Sequence, residues 1–134
     1  MAYVVRPDEG RRLGLPGRQA RELVGGGSGH MTVRLVEIAP DAGDGERRGP
    51  HVHFDFPEAI YVLAGTGITE CESGPLEVAA GDCIIVPAGE LHVTRNTGTG
   101  PLQLICFFPV DDIVPGTREF ASWEEGRGAA RQTK

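Results

Sequence analysis

Three histidines and one glutamate constrain this chain more than anything else in it. His51, His53 and Glu58 lie within eight residues of one another, and His92 follows thirty-four residues after Glu58. Three imidazoles and one carboxylate suit a divalent transition ion, because neutral nitrogen donors match iron, manganese, nickel or zinc better than calcium or magnesium. If the four serve one ion, the fold must carry residue 92 back to residues 51–58. A single histidine in a strand is ordinarily a packed or solvated side chain. Burying all four groups together without an ion would leave a carboxylate uncompensated, at a cost of several kcal/mol.

Strand geometry allows the convergence. Residues two apart on a strand share a face, so His51 and His53 project together. Asp55 and Pro57 mark a turn, after which Ala59-Ile60-Tyr61-Val62-Leu63 has β-type composition and places Glu58 at the head of a returning strand. His92 follows a Pro-Ala-Gly turn and opens the run to Asn96. A hairpin plus a later strand is therefore expected to gather the four groups at the mouth of one barrel.

The spacing around these residues is more specific than the residues alone. The first cluster runs Gly45, His51, His53, Glu58, Gly65, and the second Gly81, Pro87, Gly89, His92, Asn96. Together they occupy every fixed position of G-x5-H-x-H-x3,4-E-x6-G and G-x5-P-x-G-x2-H-x3-N, the two signatures of the cupins. Over residues 30–110 the chain resembles a small single-domain microbial cupin. The resemblance implies an all-β fold, an antiparallel double-stranded β-helix or jelly-roll barrel. It also implies one divalent metal ion (Fe, Mn, Ni or Zn) on His51, His53, Glu58 and His92, and a homodimer formed by packing or exchanging strands.

Length and charge narrow the classes. At 134 residues the chain is expected to be one domain: a strand and irregular arm over 1–29, a barrel core over 30–110 and a tail over 111–134. A net charge of −6 without a basic stripe argues against a nucleic-acid partner. No apolar run approaches the length of a membrane span, and Met1–Gly10 carries charges where a signal peptide needs an apolar stretch, so no membrane partner and a cytoplasmic location are expected. Lys134 is the only lysine among thirteen basic residues, which leaves no obvious lysine for a substrate phosphate. Cys71, Cys83 and Cys106 form no C-x-x-C pair and read as small buried hydrophobes.

Short apolar runs separated by Gly and Pro turns predict strands at Ala2–Arg6, Met31–Ala39, Ile68–Glu72, Leu76–Ala79, Cys83–Val86 and His92–Asn96, the last pairing with Leu102–Phe108. Residues 7–20 read as an irregular arm, Gly25–Gly29 as a turn and 40–49 as a loop. Phe120 and Trp123 are candidates to dock the tail, with Glu124–Lys134 frayed. If Glu58 faces inward, so do Ile60 and Val62, while Tyr61 and Leu63 face out and raise the question of assembly. If His92 faces inward, so do Thr94 and Asn96. The register of residues 31–39 is open: an inward Arg34 would point to an anionic substrate, but an exposed Arg34 is the expectation, and His30 reads as a loop residue.

The predicted function is metal-dependent chemistry on a small-molecule substrate. Among the activities that the resemblance implies, a dioxygenase acting on an enol, enediol or phenolic compound leads. There Glu58 is both ligand and proton acceptor, its pKa raised by an apolar wall. An isomerase, polyketide cyclase or lyase using the ion as a Lewis acid is the alternative, followed by a non-catalytic metal- or metabolite-binding barrel.

Overall fold

The computed structural model describes residues 1–27, 29–41 and 48–132. Ser28, most of the expected 40–49 loop (Gly45 with it) and Lys134 lie outside the described residues. Among the described residues eleven strands form two antiparallel sheets that face each other as a jelly-roll barrel. The first sheet contains β1 (Arg11–Leu13), β2 (Gln19–Val24), β3 (Thr32–Ile38), β10 (Leu102–Phe108), β5 (Glu58–Ala64) and β8 (Cys83–Val86), in that spatial order. The second is ordered β11 (Thr117–Glu119), β4 (His51–His53), β9 (His92–Asn96), β6 (Thr66–Cys71) and β7 (Gly74–Ala79).

Alternation of side chains gives each sheet one inward face. Ile60, Val62, Ile84, Leu102, Leu104 and Phe108 form the main core with Phe56. Tyr61 and Leu63 are exposed, so the period-two reading of β5 holds. Gly65, with φ of 93°, turns β5 into β6. A side chain there would meet the Pro101 carbonyl oxygen at 2.6 Å, so both the backbone and the space require glycine.

Two expected pairings are corrected. Strands β4 and β5 do not make a hairpin, because Phe54–Pro57 carries the chain from one sheet to the other and Phe56 is buried between them. Likewise β9 and β10 lie in different sheets. His51 and His53 thus face Glu58 across the barrel interior instead of lying beside it.

The ends are more ordered than their composition implies. Residues 2–6 form no strand, yet β1 and β2 arise within and just after the expected irregular arm and extend the first sheet. At the other end β11 pairs with β4, and a helix, α1 (Trp123–Gln132), replaces the expected frayed segment. Phe120 packs with Val52 and Leu91, and Trp123 lies against them, as the docking expectation held. That cluster covers the side of β4 opposite its histidines. Of the cysteines only Cys106 is buried; Cys71 is partly buried, and Cys83 on β8 is exposed because it points to the outer face.

Candidate metal centre

The two sheets bring His51, His53, Glu58 and His92 together, with one potential ligand atom from each lying within 4.8 Å of all the others. His51 and His92 are direct partners across β4 and β9, with ring centroids 4.2 Å apart. Glu58 enters from the opposite sheet. Its Oε1 lies 3.0 Å from His92 Nε2 and 3.2 Å from His53 Nε2. His53, Glu58 and His92 are each at most 5% exposed.

Hydrogen bonds behind the rings set which nitrogen points inward. Thr117 Oγ1 donates to the Ile113 carbonyl (2.6 Å) and so has only lone pairs left for His53 Nδ1, 2.8 Å away. Nδ1 must therefore carry the proton, leaving the Nε2 lone pair aimed at the centre. His92 Nδ1 donates to the Glu90 carbonyl at 3.0 Å, which turns its Nε2 inward in the same way. The turn before β9 is tied to β4 by the Gly89 amide, which donates to the His53 carbonyl (2.7 Å).

Electrostatics follow from this packing. Burial alone would raise the Glu58 pKa, but His53 and His92 together outweigh it and hold the carboxyl well below the usual carboxylate range. This is opposite to the raised value expected from an apolar wall, because the wall nearest the carboxylate consists of imidazoles. Burial also opposes charge on His92, yet its bond to Glu58 wins and raises the pKa. Burial, reinforced by His92, pushes His51 well below its ordinary value and keeps it neutral.

The donor set fits a divalent transition ion. Among the described residues His53 Nε2 is buried without a hydrogen-bond partner, an arrangement that costs free energy unless something accepts its lone pair. Three inward imidazole nitrogens and a carboxylate oxygen are the appropriate donors.

Above the cluster opens a cavity of about 350 Å³ with an apolar wall that includes Val36, Ile60, Leu104 and Phe108. Ile60 and Thr94 line it as expected; Val62 and Asn96 are buried but lie outside its lining. Arg34 corrects an expectation: it faces this cavity, its side chain only 12% exposed, because Glu22 directly across β2 holds it inward. His30 is exposed, in line with the loop reading. Sequence reasoning missed Thr117, Glu22, Arg18 and Arg48, which come from segments read as arm, loop or tail. An acidic residue inside Arg11–Arg34 was the one available signal.

The fold and the cluster together define a cupin. The cupin-domain family model matches residues 34–108, and the chain belongs to that family. Germin-like protein 5-1 of Oryza sativa subsp. japonica is 29% identical over 110 residues, covering 78% of this chain and 47% of that protein. The chain spans about half the length of the curated relatives it matches. Among solved structures, the Streptomyces nucleoside dehydratase Pac13 superposes with a TM-score of 0.68 at 18% identity, covering 90% of this chain and 92% of that one. A sugar phosphate isomerase of Silicibacter pomeroyi superposes with a TM-score of 0.65 at 23% identity, covering 80% and 75%. At these identities the two structures establish the fold alone. No helix among the described residues is long and apolar enough to cross a membrane.

Proposed function

We propose that this cupin is a metal-dependent enzyme that transforms a small molecule without net oxidation, as an isomerase, cyclase or lyase. One observation carries the reading: four donors, three buried and one half-buried, converge on one point at the floor of a cavity large enough for a small substrate. A bound ion would supply Lewis acidity toward a substrate oxygen. The chain's own part is to hold and orient. His53 and His92 are oriented by hydrogen bonds behind their rings, His51 and Glu58 complete the donor set, and the apolar wall limits access of water. The Glu58 carboxylate already accepts a hydrogen bond from His92 Nε2 at 3.0 Å, which favours its role as ligand over that of proton acceptor. The similar folds named as a dehydratase and an isomerase support the redox-neutral choice.

A dioxygenase acting on an enol, enediol or phenolic substrate is the second reading, favoured by the dry wall of Ile60, Leu104 and Phe108 beside the donors. Anaerobic loading with iron, manganese, nickel or zinc, followed by an oxygen-electrode screen of these substrates and mass analysis of products, separates the two. Product without oxygen uptake supports the redox-neutral reading. Stoichiometric uptake transfers the assignment to the dioxygenase, and no product with any ion favours a binding barrel.

We also propose a homodimer through the outer face of the first sheet, where Tyr61, Leu63, Ile85 and Phe107 are exposed. Ile85 and Phe107 both flank Ala59 in register. Sedimentation equilibrium of the wild type and Phe107→Glu tests it, with a monomeric wild type as the contrary result.

A further inference from the structure

In a chain with a net charge of −6, four guanidinium groups wall the cavity: Arg11, Arg18, Arg34 and Arg48. They differ in how fully they are neutralised. Arg11 and Arg34 share one buried carboxylate, since Glu22 sits directly between them in register and binds Arg11 at 2.8 Å and Arg34 at 3.0 Å. Arg18, with 11% of its side chain exposed, donates to the Pro16 carbonyl at 2.8 Å and to Glu119 at 3.1 Å. Glu119 itself is half exposed. Arg48 donates to the Thr94 carbonyl at 2.9 Å and has no carboxylate within ion-pair distance among the described residues.

Among the described residues the carboxylate acting on Arg48 is Glu119, the ion-pair partner of Arg18. A partly buried cation without an ion pair of its own is costly, so its retention beside a second guanidinium calls for an explanation. Burial, then the nearby Arg18 and Arg95, lower the Arg48 pKa to about 10. The group is nevertheless held in place. Gly17, with φ of 71°, brings the β1–β2 turn so close that a side chain there would lie 3.1 Å from Arg48 Cδ. Both arginines are also tied to the metal-ligating strands. Glu119, the partner of Arg18, is directly opposite His51, and Thr94, the partner of Arg48, lies two residues beyond His92 on the same face.

We propose that Arg18 and Arg48 form an oxyanion subsite at the rim of the cavity, which takes the carboxylate or phosphate of a small anionic substrate. Two planar forks of N–H donors match the oxygens of either group, and such charge-assisted bonds are the stronger kind. With its anionic end on these arginines, the substrate would extend over the floor formed by His51 and His92. That orientation rests on the enzymatic reading of the floor; the anion binding does not, since it needs no metal.

Isothermal titration of the full chain, metal-free and metal-loaded, with inorganic phosphate and separately with acetate at constant ionic strength, tests the subsite. At least one anion should bind saturably to the metal-free chain. Affinity should fall about tenfold or more in Arg48→Met and Arg18→Met, the equivalent of one lost charge-assisted bond, and hold in Arg12→Met on the other face of β1. Tighter phosphate binding assigns a phosphorylated substrate, and tighter acetate binding a carboxylate. Failure of both anions to bind the wild type overturns the proposal, as do affinities within about twofold of wild type in both arginine variants. If circular dichroism shows Arg48→Met unfolded, Arg48→Lys replaces it under the same criterion, since lysine keeps the charge and loses the fork. Metal-induced thermal shifts measured on the same samples keep the two readings apart. Loss of the shift with anion binding intact removes the metal and leaves the subsite.

Discussion

The floor and the rim of the cavity are built in opposite ways. On the floor, side chains on paired strands point at one another, and hydrogen bonds from His53 to Thr117 and from His92 to the Glu90 carbonyl fix these two imidazoles from behind. At the rim, arginines arrive from the edge strand β1, from the turn after it and from the segment before β4, with exposures from about a tenth for Arg18 to two-thirds for Arg11. The floor can specify a geometry, because its strands are paired and the buried His53 and His92 rings are hydrogen-bonded from behind. The rim supplies charge over a wider area and tolerates substrates of different length. Chemistry is expected to be conserved by the first and selectivity to be set by the second.

The sharpest way to break this contrast is to open the floor. His92→Ala in the metal-free protein takes from the buried Glu58 carboxylate its hydrogen-bonded imidazole, and removing one member of a buried pair costs roughly 3–5 kcal/mol. Urea unfolding measures it, and a loss below about 1 kcal/mol would mean that Glu58 does not depend on His92. Next comes the ion. At a hundredfold excess over the dissociation constant a metal should stabilise the wild type by about 2.7 kcal/mol, an increment that His53→Ala loses and Cys71→Ala keeps. Equal melting temperatures with and without metal would refute the centre.

Proton competition sharpens the comparison further. His92 has a raised pKa in the metal-free protein, so its proton must leave before Nε2 can bind an ion, whereas the depressed His51 has none to lose near neutrality. Apparent metal affinity should therefore rise with pH through and beyond the ordinary histidine range, by up to about tenfold per unit. A flat profile between mildly acidic and mildly alkaline buffer would contradict that proton assignment. Thr117→Val removes the acceptor behind His53 and should weaken metal binding by about tenfold, the low end for such supporting partners. The smallest effect belongs to the rim: Arg11→Ala should leave the urea midpoint almost unchanged, since its pair with Glu22 is largely solvent-exposed on the arginine side, and a clear downward shift would contradict this.

Much of the floor was readable from residue spacing. Two-residue periodicity placed His51 with His53, and Glu58 with Ile60 and Val62, and turn residues marked most strand ends. The partners of these strands were not readable. A hairpin between β4 and β5 is the local solution, and it was wrong because a buried Phe56 and the barrel closure send the chain to the opposite sheet. Pairing across a barrel depends on contacts distant in sequence, which no local pattern records.

The sequence by itself determined the family, the candidate ligand set and the two-faced strands that carry it. These follow from side-chain chemistry and from a backbone period that does not depend on context. Only the tertiary structure decided that the ends belong to the site. Glu22 turns Arg34 inward, Thr117 selects the His53 nitrogen, and the β1–β2 turn seats Arg48 beside Arg18. Each is a relation between residues far apart in the chain, and an arginine read alone is as well suited to solvent as to a cavity until a buried carboxylate or a neighbouring turn holds it in place.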